Sequence, residues 1–172
     1  MLQKMIETQN LVLIPLTYAE LEQYTHLDGR LEKTLNLNPT PSRTISAELK
    51  EALTQTILPA VLASDTDFRY STLWTIVAKK SQQMVGDLCF MGKPNPQGEV
   101  EIGYGTYEAF WGKGLMTEAV SGVVLWAKTQ TNIKTIKANT LKDNTASYVV
   151  LQKNGFIKTN ETNDLYHWSI DI

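Results

Sequence analysis

The chain has 172 residues, 42% of them hydrophobic and 20% charged, a size and mixture that fit one compact domain, residues 1–172, and leave two full domains cramped. A formal charge of -2 gives no basic excess for neutralising a nucleic-acid backbone, and no apolar stretch is long enough to span a bilayer, so neither nucleic acid nor membrane is an expected partner. The single cysteine, Cys89, excludes an internal disulfide, and two isolated histidines, His26 and His167, do not make a metal cluster.

The N-terminus lacks a charged-then-apolar leader, which makes the cytoplasm the expected location. The segment "NLVLIPL" reads as an opening strand buried on both faces, and Thr17 with Glu20 three residues later forms a capping box that predicts a short helix. Residues 28 to 45, with Gly29, Pro39 and Pro41, read as irregular or partly helical backbone able to overhang a site. From Ser46, Leu49, Leu53, Ile57, Val61 and Leu62 recur at helical spacing, with Pro59 set to kink or split the helix.

The period then changes. "STLWTIVAK" and "MVGDLCFM" predict a hairpin about the polar "KSQQ", with Cys89 as a buried, inert thiol. After the turn-rich "KPNPQG", "EVEIGYGTY" alternates as a strand. A glycine loop then opens an amphipathic helix carrying Leu115, Ala119, Val123 and Ala127 on one stripe. "KTIKANTL" is a strand, "NTASYVVLQKNGF" a short helix stopped by Asn154 and Gly155, and "DLYHWSIDI" a closing strand. The order is strand, two helices, three strands, helix, strand, helix, strand: one mixed sheet with helices on it, an α/β (α+β) fold.

A helix whose first turn lacks bulky side chains exposes unpaired N–H groups and the positive end of its dipole, which together make an anion site. Gly112 and Gly114, with Lys113 between them, let the backbone approach a phosphate. A Walker loop is ruled out because Gly114 stands where Ser or Thr must follow the Gly-Lys pair, and a Rossmann turn lacks its βαβ context. A pyrophosphate-binding turn remains, beside the alternative that the glycines only permit tight packing.

The run "EIGYGTYEAFWGKGLMTEA", followed by "IKANTLKDNTASYVVLQKNGF", resembles the two core motifs of the GNAT superfamily of N-acetyltransferases. The opening strand is similar to that of the branch acting on ribosomal-protein N-termini, although Asn10 and Ile14 stand where that branch often has arginines. The resemblance implies a GNAT fold with a central, mostly antiparallel sheet, and acetyl-CoA as cosubstrate without a metal. It assigns the coenzyme A pyrophosphate to Trp111, Gly112, Lys113, Gly114, Leu115, Met116 and Thr117, with further contacts from Asn144 and Lys153. Two departures are Ala109, where the family often has Gln or Arg, and Leu151, where many members carry a tyrosine that protonates the leaving thiol.

Transfer to an amine requires the amine neutral: a lysine side chain costs roughly 4 kcal/mol to deprotonate at neutral pH, an α-amino group about 1.4 kcal/mol. The lower cost favours a peptide or protein N-terminus, with a polyamine, amino acid or antibiotic amine as the alternative acceptor and a catalytically silent acyl-CoA sensor as the other reading. Glu101 is the first candidate base and Glu99 the second, sharing one strand face and able to act through a water. Ser147, three residues after Asn144, is the candidate partner of the thiol, and Tyr148 a packing residue able to supply a hydroxyl. Backbone N–H groups near Ile102 to Tyr104 are the candidate oxyanion donors. Exposed strand edges leave room for a homodimer.

Overall fold

The computed structural model describes residues 5–64 and 67–172. Residues 1–4, on which the leader reading partly falls, and residues 65–66 lie outside it. Strands β1 (Ile6–Glu7), β2 (Leu11–Pro15), β3 (Leu73–Ala78), β4 (Gln83–Phe90), β5 (Glu99–Thr106), β6 (Thr135–Leu141), β7 (Ile157–Glu161) and β8 (Leu165–Asp171) form one sheet in the order β1-β2-β3-β4-β5-β6-β8-β7. Every described pairing is antiparallel except β5 with β6.

Among the described residues, six α-helices accompany this sheet: α1 (Tyr18–His26), α2 (Arg30–Thr34), α3 (Ala47–Ala52), α4 (Leu58–Leu62), α5 (Leu115–Ala127) and α6 (Thr145–Lys153). The alternation of β2 explains the two-sided core. Leu11 and Leu13 join Ile76, Leu88, Val100 and Ile102 under α5, whose Ala119, Val120, Val123 and Ala127 are fully buried. Leu16 joins Leu21, Tyr24, Leu31, Leu53 and Val61 from the α1–α4 side. Each fully buried valine or leucine contributes about 1.5–3 kcal/mol.

The predicted capping box is present: Thr17 caps Glu20 N–H, and the Glu20 carboxylate accepts from Thr17 N–H at 2.7 Å. The expected break near Pro59 takes the form of a split: a π segment separates α3 from α4, and Pro59 stands in the first turn of α4. It has no N–H for the carbonyl four residues back, and the chain widens into one π turn at Leu53–Ile57 just before it. Two strands escape the sequence pattern. β1 has only two residues, and every residue of β7 is exposed, so neither shows an apolar alternation.

Candidate active site

β5 is the axis of the site. It pairs with β6 only from Glu99 to Ile102, whereas β6 runs on to Leu141 against β8. Beyond Ile102 the two parallel strands part. On its other side β5 stays bonded to β4 as far as Thr106 opposite Gly86. Met91 N–H donates to Glu101 O and Tyr107 N–H to Val85 O, each at 2.9 Å. By ladder alternation the odd residues of β5 therefore bond β4, and Tyr104 and Thr106 turn their N–H groups toward the gap. Two cavities meet there, sharing Tyr104, Gly105, Thr106 and Trp111 as walls.

The first cavity, about 690 Å³, lies between the N-terminal ends of α5 and α6. Its walls include every residue assigned above to the coenzyme: Trp111, Gly112, Lys113, Gly114, Leu115, Met116, Thr117, Asn144 and Lys153, together with Ser147. Gly112 and Gly114 have φ of 72° and 73°, in the left-handed region that an L side chain enters at a cost. Gly114 is the N-cap of α5 and offers no side-chain cap, so the first N–H groups of the helix are left for a ligand. Among the described residues, Lys113 and Lys153 are the only charged ones in its walls, and both are cationic.

Two hydrogen bonds tie α6 to the other walls of this cavity. Asn154 Nδ2 donates to Thr117 O at 3.1 Å, tying the end of α6 to the start of α5. The Tyr104 hydroxyl donates to Ser147 O at 2.8 Å, and burial pushes its pKa up to about 12. Asn144 caps α6 by accepting from Ser147 N–H at 3.1 Å. Tyr148 packs against Tyr166 and Trp168, and Leu151 is fully buried.

The second cavity, about 950 Å³, lies on the other side of β5, beneath α3 and α4. Phe90, Tyr104 and Trp111 are in its walls, whereas Trp74 is wholly within the core. Cys89 is half-buried there, and burial pushes its thiol up to about 11, which keeps it protonated. The charged wall residues are Glu48, Asp87 and Glu108.

Asp87 was not among the sequence candidates. It is 6% exposed on β4, and its Oδ2 accepts hydrogen bonds from Tyr24 at 2.6 Å and Tyr107 at 2.8 Å. Its Oδ1 is buried with no hydrogen-bond partner among the described residues, an omission that costs about 1–3 kcal/mol for a neutral group and more for a charged one. Burial raises its pKa to about 6, against the Tyr24 and Tyr107 hydrogen bonds and the charge of Arg43, which lower it. Arg43 does not bond the carboxylate: it lies over the Tyr24 ring, 4.3 Å from the centroid, and donates to Tyr24 O.

Glu101 and Glu99 share a strand face as expected, but neither is in the walls of either cavity. Glu101 accepts from Asn139 Nδ2 at 2.8 Å, and Asn139 Oδ1 meets His167 Nδ1 at 2.5 Å. Glu99 is paired with Lys137 at 2.7 Å and bonded by Asn95, contacts that hold its carboxyl below the usual range. Among the described residues, no group of three His, Cys, Asp or Glu side chains is placed to hold a metal, and no helix is long and apolar enough to cross a membrane.

A mixed sheet that parts beside a glycine-loop helix is the architecture of the GNAT fold. Residues 10–157 match the acetyltransferase (GNAT) domain, and the chain belongs to that family. It is 34% identical over 95 residues to an uncharacterized N-acetyltransferase, YjdG, of Bacillus subtilis (strain 168), an alignment covering 55% of this chain and 56% of that one. The chain spans about half the length of the curated relatives it matches, 56% and 48%. Among solved structures, a ribosomal L7/L12 α-N-protein acetyltransferase, RimL, in complex with coenzyme A superposes with a TM-score of 0.68 at 20% identity, covering 98% of both chains. The ribosomal-protein-S5-alanine acetyltransferase of Vibrio fischeri gives 0.68 at 19% identity over 98% of this chain and 97% of that one.

Proposed function

We propose that this chain is an N-acetyltransferase that moves the acetyl group of acetyl-CoA onto a primary amine. The observation that carries the reading is the meeting of two oppositely charged cavities at the opened end of β5. The cavity with only cationic charges suits the phosphates of the coenzyme, held by the loop Trp111–Thr117, the N–H groups of α5, Asn144 and Lys153. The coenzyme supplies an acetyl group activated as a thioester. Tyr104 and Thr106 aim N–H groups into the junction, where one well-placed donor to a developing oxyanion is worth about 2.7–4 kcal/mol. Ser147 borders the same cavity and is the hydroxyl nearest in role to the missing family tyrosine.

In the transfer, the amine loses one proton, its lone pair forms the C–N bond, and the C–S bond breaks. The first proton goes to solvent, and the second passes from the nitrogen to the departing sulfur, which leaves as the free thiol. The acceptor is a peptide or protein N-terminus, the class named for the RimL and S5 enzymes, whose α-amino group is the cheaper one to neutralise. A small amine is favoured as a second reading by the size of the acceptor cavity, about 950 Å³. The reading takes residues 1–172 as one catalytic domain acting in the cytoplasm, with β1 and β7 as the sheet edges open to a second copy.

The test is calorimetric titration with acetyl-CoA, followed in the same sample by thiol release against a panel of peptides and small amines. Binding with turnover supports the enzyme and names its acceptor class. Binding without turnover on any of them favours a sensor, and no binding overturns the coenzyme assignment.

A further inference from the structure

We infer that Asp87 is the carboxylate that seats the acceptor's ammonium group, and that its cavity selects amines carried on apolar or cationic bodies over acidic ones. The inference rests on the acetyltransferase reading and specifies its acceptor side. Asp87 lies in the wall of the larger cavity, more than nine-tenths buried, with Oδ2 held by two tyrosine hydroxyls. Those bonds fix the carboxylate plane and leave Oδ1 unpartnered; not even the hydroxyl of Thr75, its cross-strand neighbour, bonds it. A carboxylate serving only to anchor Tyr24 and Tyr107 gains nothing from a second oxygen shut into the wall without a donor, whereas a ligand N–H pressed against that wall satisfies it once the side chain turns it toward the cavity.

The groups around it point the same way. Tyr24 from α1 and Tyr107 after β5 are both held protonated, their phenols pushed up first by burial and then by the Asp87 charge. Cys89, two residues along β4, is likewise neutral. Arg43 lies over the Tyr24 ring and makes no hydrogen bond to the carboxylate among the described residues, though its charge is near enough to favour the ionised form. Among the described residues, Glu48 and Glu108 are the other charged wall residues, and no lysine, arginine or histidine joins them. A cavity lined by carboxylates and by Leu49, Ile57, Leu73, Leu88, Phe90 and Trp111 is complementary to a cation with an apolar stem and repels an acid.

The experiment titrates the full chain, saturated with coenzyme A, calorimetrically with hexylamine, 1,4-diaminobutane and hexanoate. The amines are expected to bind, hexanoate to bind about tenfold more weakly or not at all, and Asp87→Asn to weaken the amines by about tenfold or more. Acetyl-CoA affinity of the variant stays within about twofold of wild type. A second measurement needs no variant: in the wild-type chain labelled with ¹³C-aspartate, saturating hexylamine lowers the titration midpoint of the Asp87 carboxyl, because a bound cation favours its charged form. Equal binding of hexanoate, an unaffected Asp87→Asn, an unmoved midpoint, or no amine binding each overturns the inference. Failure to bind acetyl-CoA sinks the acetyltransferase reading instead, whatever the amines do.

Discussion

The hydroxyl of Tyr104 donates to the main-chain carbonyl of Ser147 at 2.8 Å, joining β5 to the first turn of α6 across the gap that β6 leaves. This bond sets the width of the coenzyme cavity at its junction with the acceptor cavity, since Tyr104 is a wall of both. Tyr104→Phe removes the donor and keeps the ring. It is expected to cost about 1 kcal/mol of stability and to raise the acetyl-CoA dissociation constant, read by thermal unfolding and calorimetry. Unaltered values for both leave the junction to packing alone.

Gly86 makes the same junction sensitive from the β4 side. A Cβ there would stand 2.5 Å from Gly105 O and 3.2 Å from Thr106 Cα, both main-chain atoms that cannot move aside without shifting β5. Gly86→Ala is expected to destabilise by about 1–3 kcal/mol, as overpacking does, and to lower turnover beyond what the stability loss explains. Circular dichroism at the assay temperature separates misplacement from unfolding.

In the coenzyme cavity, backbone and charge make different predictions. Lys113 is exposed, with its Nζ 5.1 Å from the Phe110 ring centroid and 3.3 Å from Ala109 O, so on the proposed coenzyme assignment it would meet a phosphate as an exposed ion pair. Lys113→Ala is expected to weaken acetyl-CoA by about two- to fivefold, less so at high salt. Gly114→Ala meets no neighbour, yet its φ of 73° costs an L residue roughly 1–2 kcal/mol. Relaxing that strain turns the first N–H groups of α5 away from the ligand, so its loss of affinity exceeds that of Lys113→Ala and persists in salt.

The capping box, the glycine loop and the stop at Gly155 were legible in the sequence because each is local: the residues that act together lie within a few positions. The nine positions that the resemblance assigns to the coenzyme line one cavity for the same reason, since two short motifs flank it. Asp87 was not legible. Its partners stand 63 and 20 residues away, and only the packing of α1 over β4 brings Tyr24 to it. The segment "MVGDLCFM" reads as a hairpin strand with a buried thiol at Cys89; an aspartate inside it, away from any turn, is the available signal. Glu101 stands in the strand before the glycine loop, and that position says nothing of which cavity its side chain faces.

Glu101 and Asp87 are separable by experiment. Glu101→Gln keeps an acceptor oxygen for Asn139 and removes only the charge. A general base contributes about 10²–10⁴-fold. With Glu101 outside both cavities, Glu101→Gln is expected to lower kcat/KM by under about tenfold, and Asp87→Asn by more. A hundredfold loss in Glu101→Gln would return the base to that position, acting through water.

Asp87 also makes a prediction about stability, with a definite sign. Its folded pKa is about 6, against about 3.9 unfolded. Between those values the folded chain holds a proton that the unfolded chain has released, so stability falls as pH rises through the window and stays reduced above it. The difference corresponds to about 2–3 kcal/mol at neutral pH. Asparagine keeps an oxygen for Tyr24 and Tyr107 and carries no charge. Asp87→Asn is therefore expected to melt several degrees higher than wild type at about pH 7.5, about 2–4 °C for each kcal/mol, with the advantage gone by about pH 4. A variant less stable than wild type at neutral pH would mean that the carboxylate serves the fold. A variant more stable and less able to hold an amine would mean that the fold bears a buried charge for the sake of the ligand.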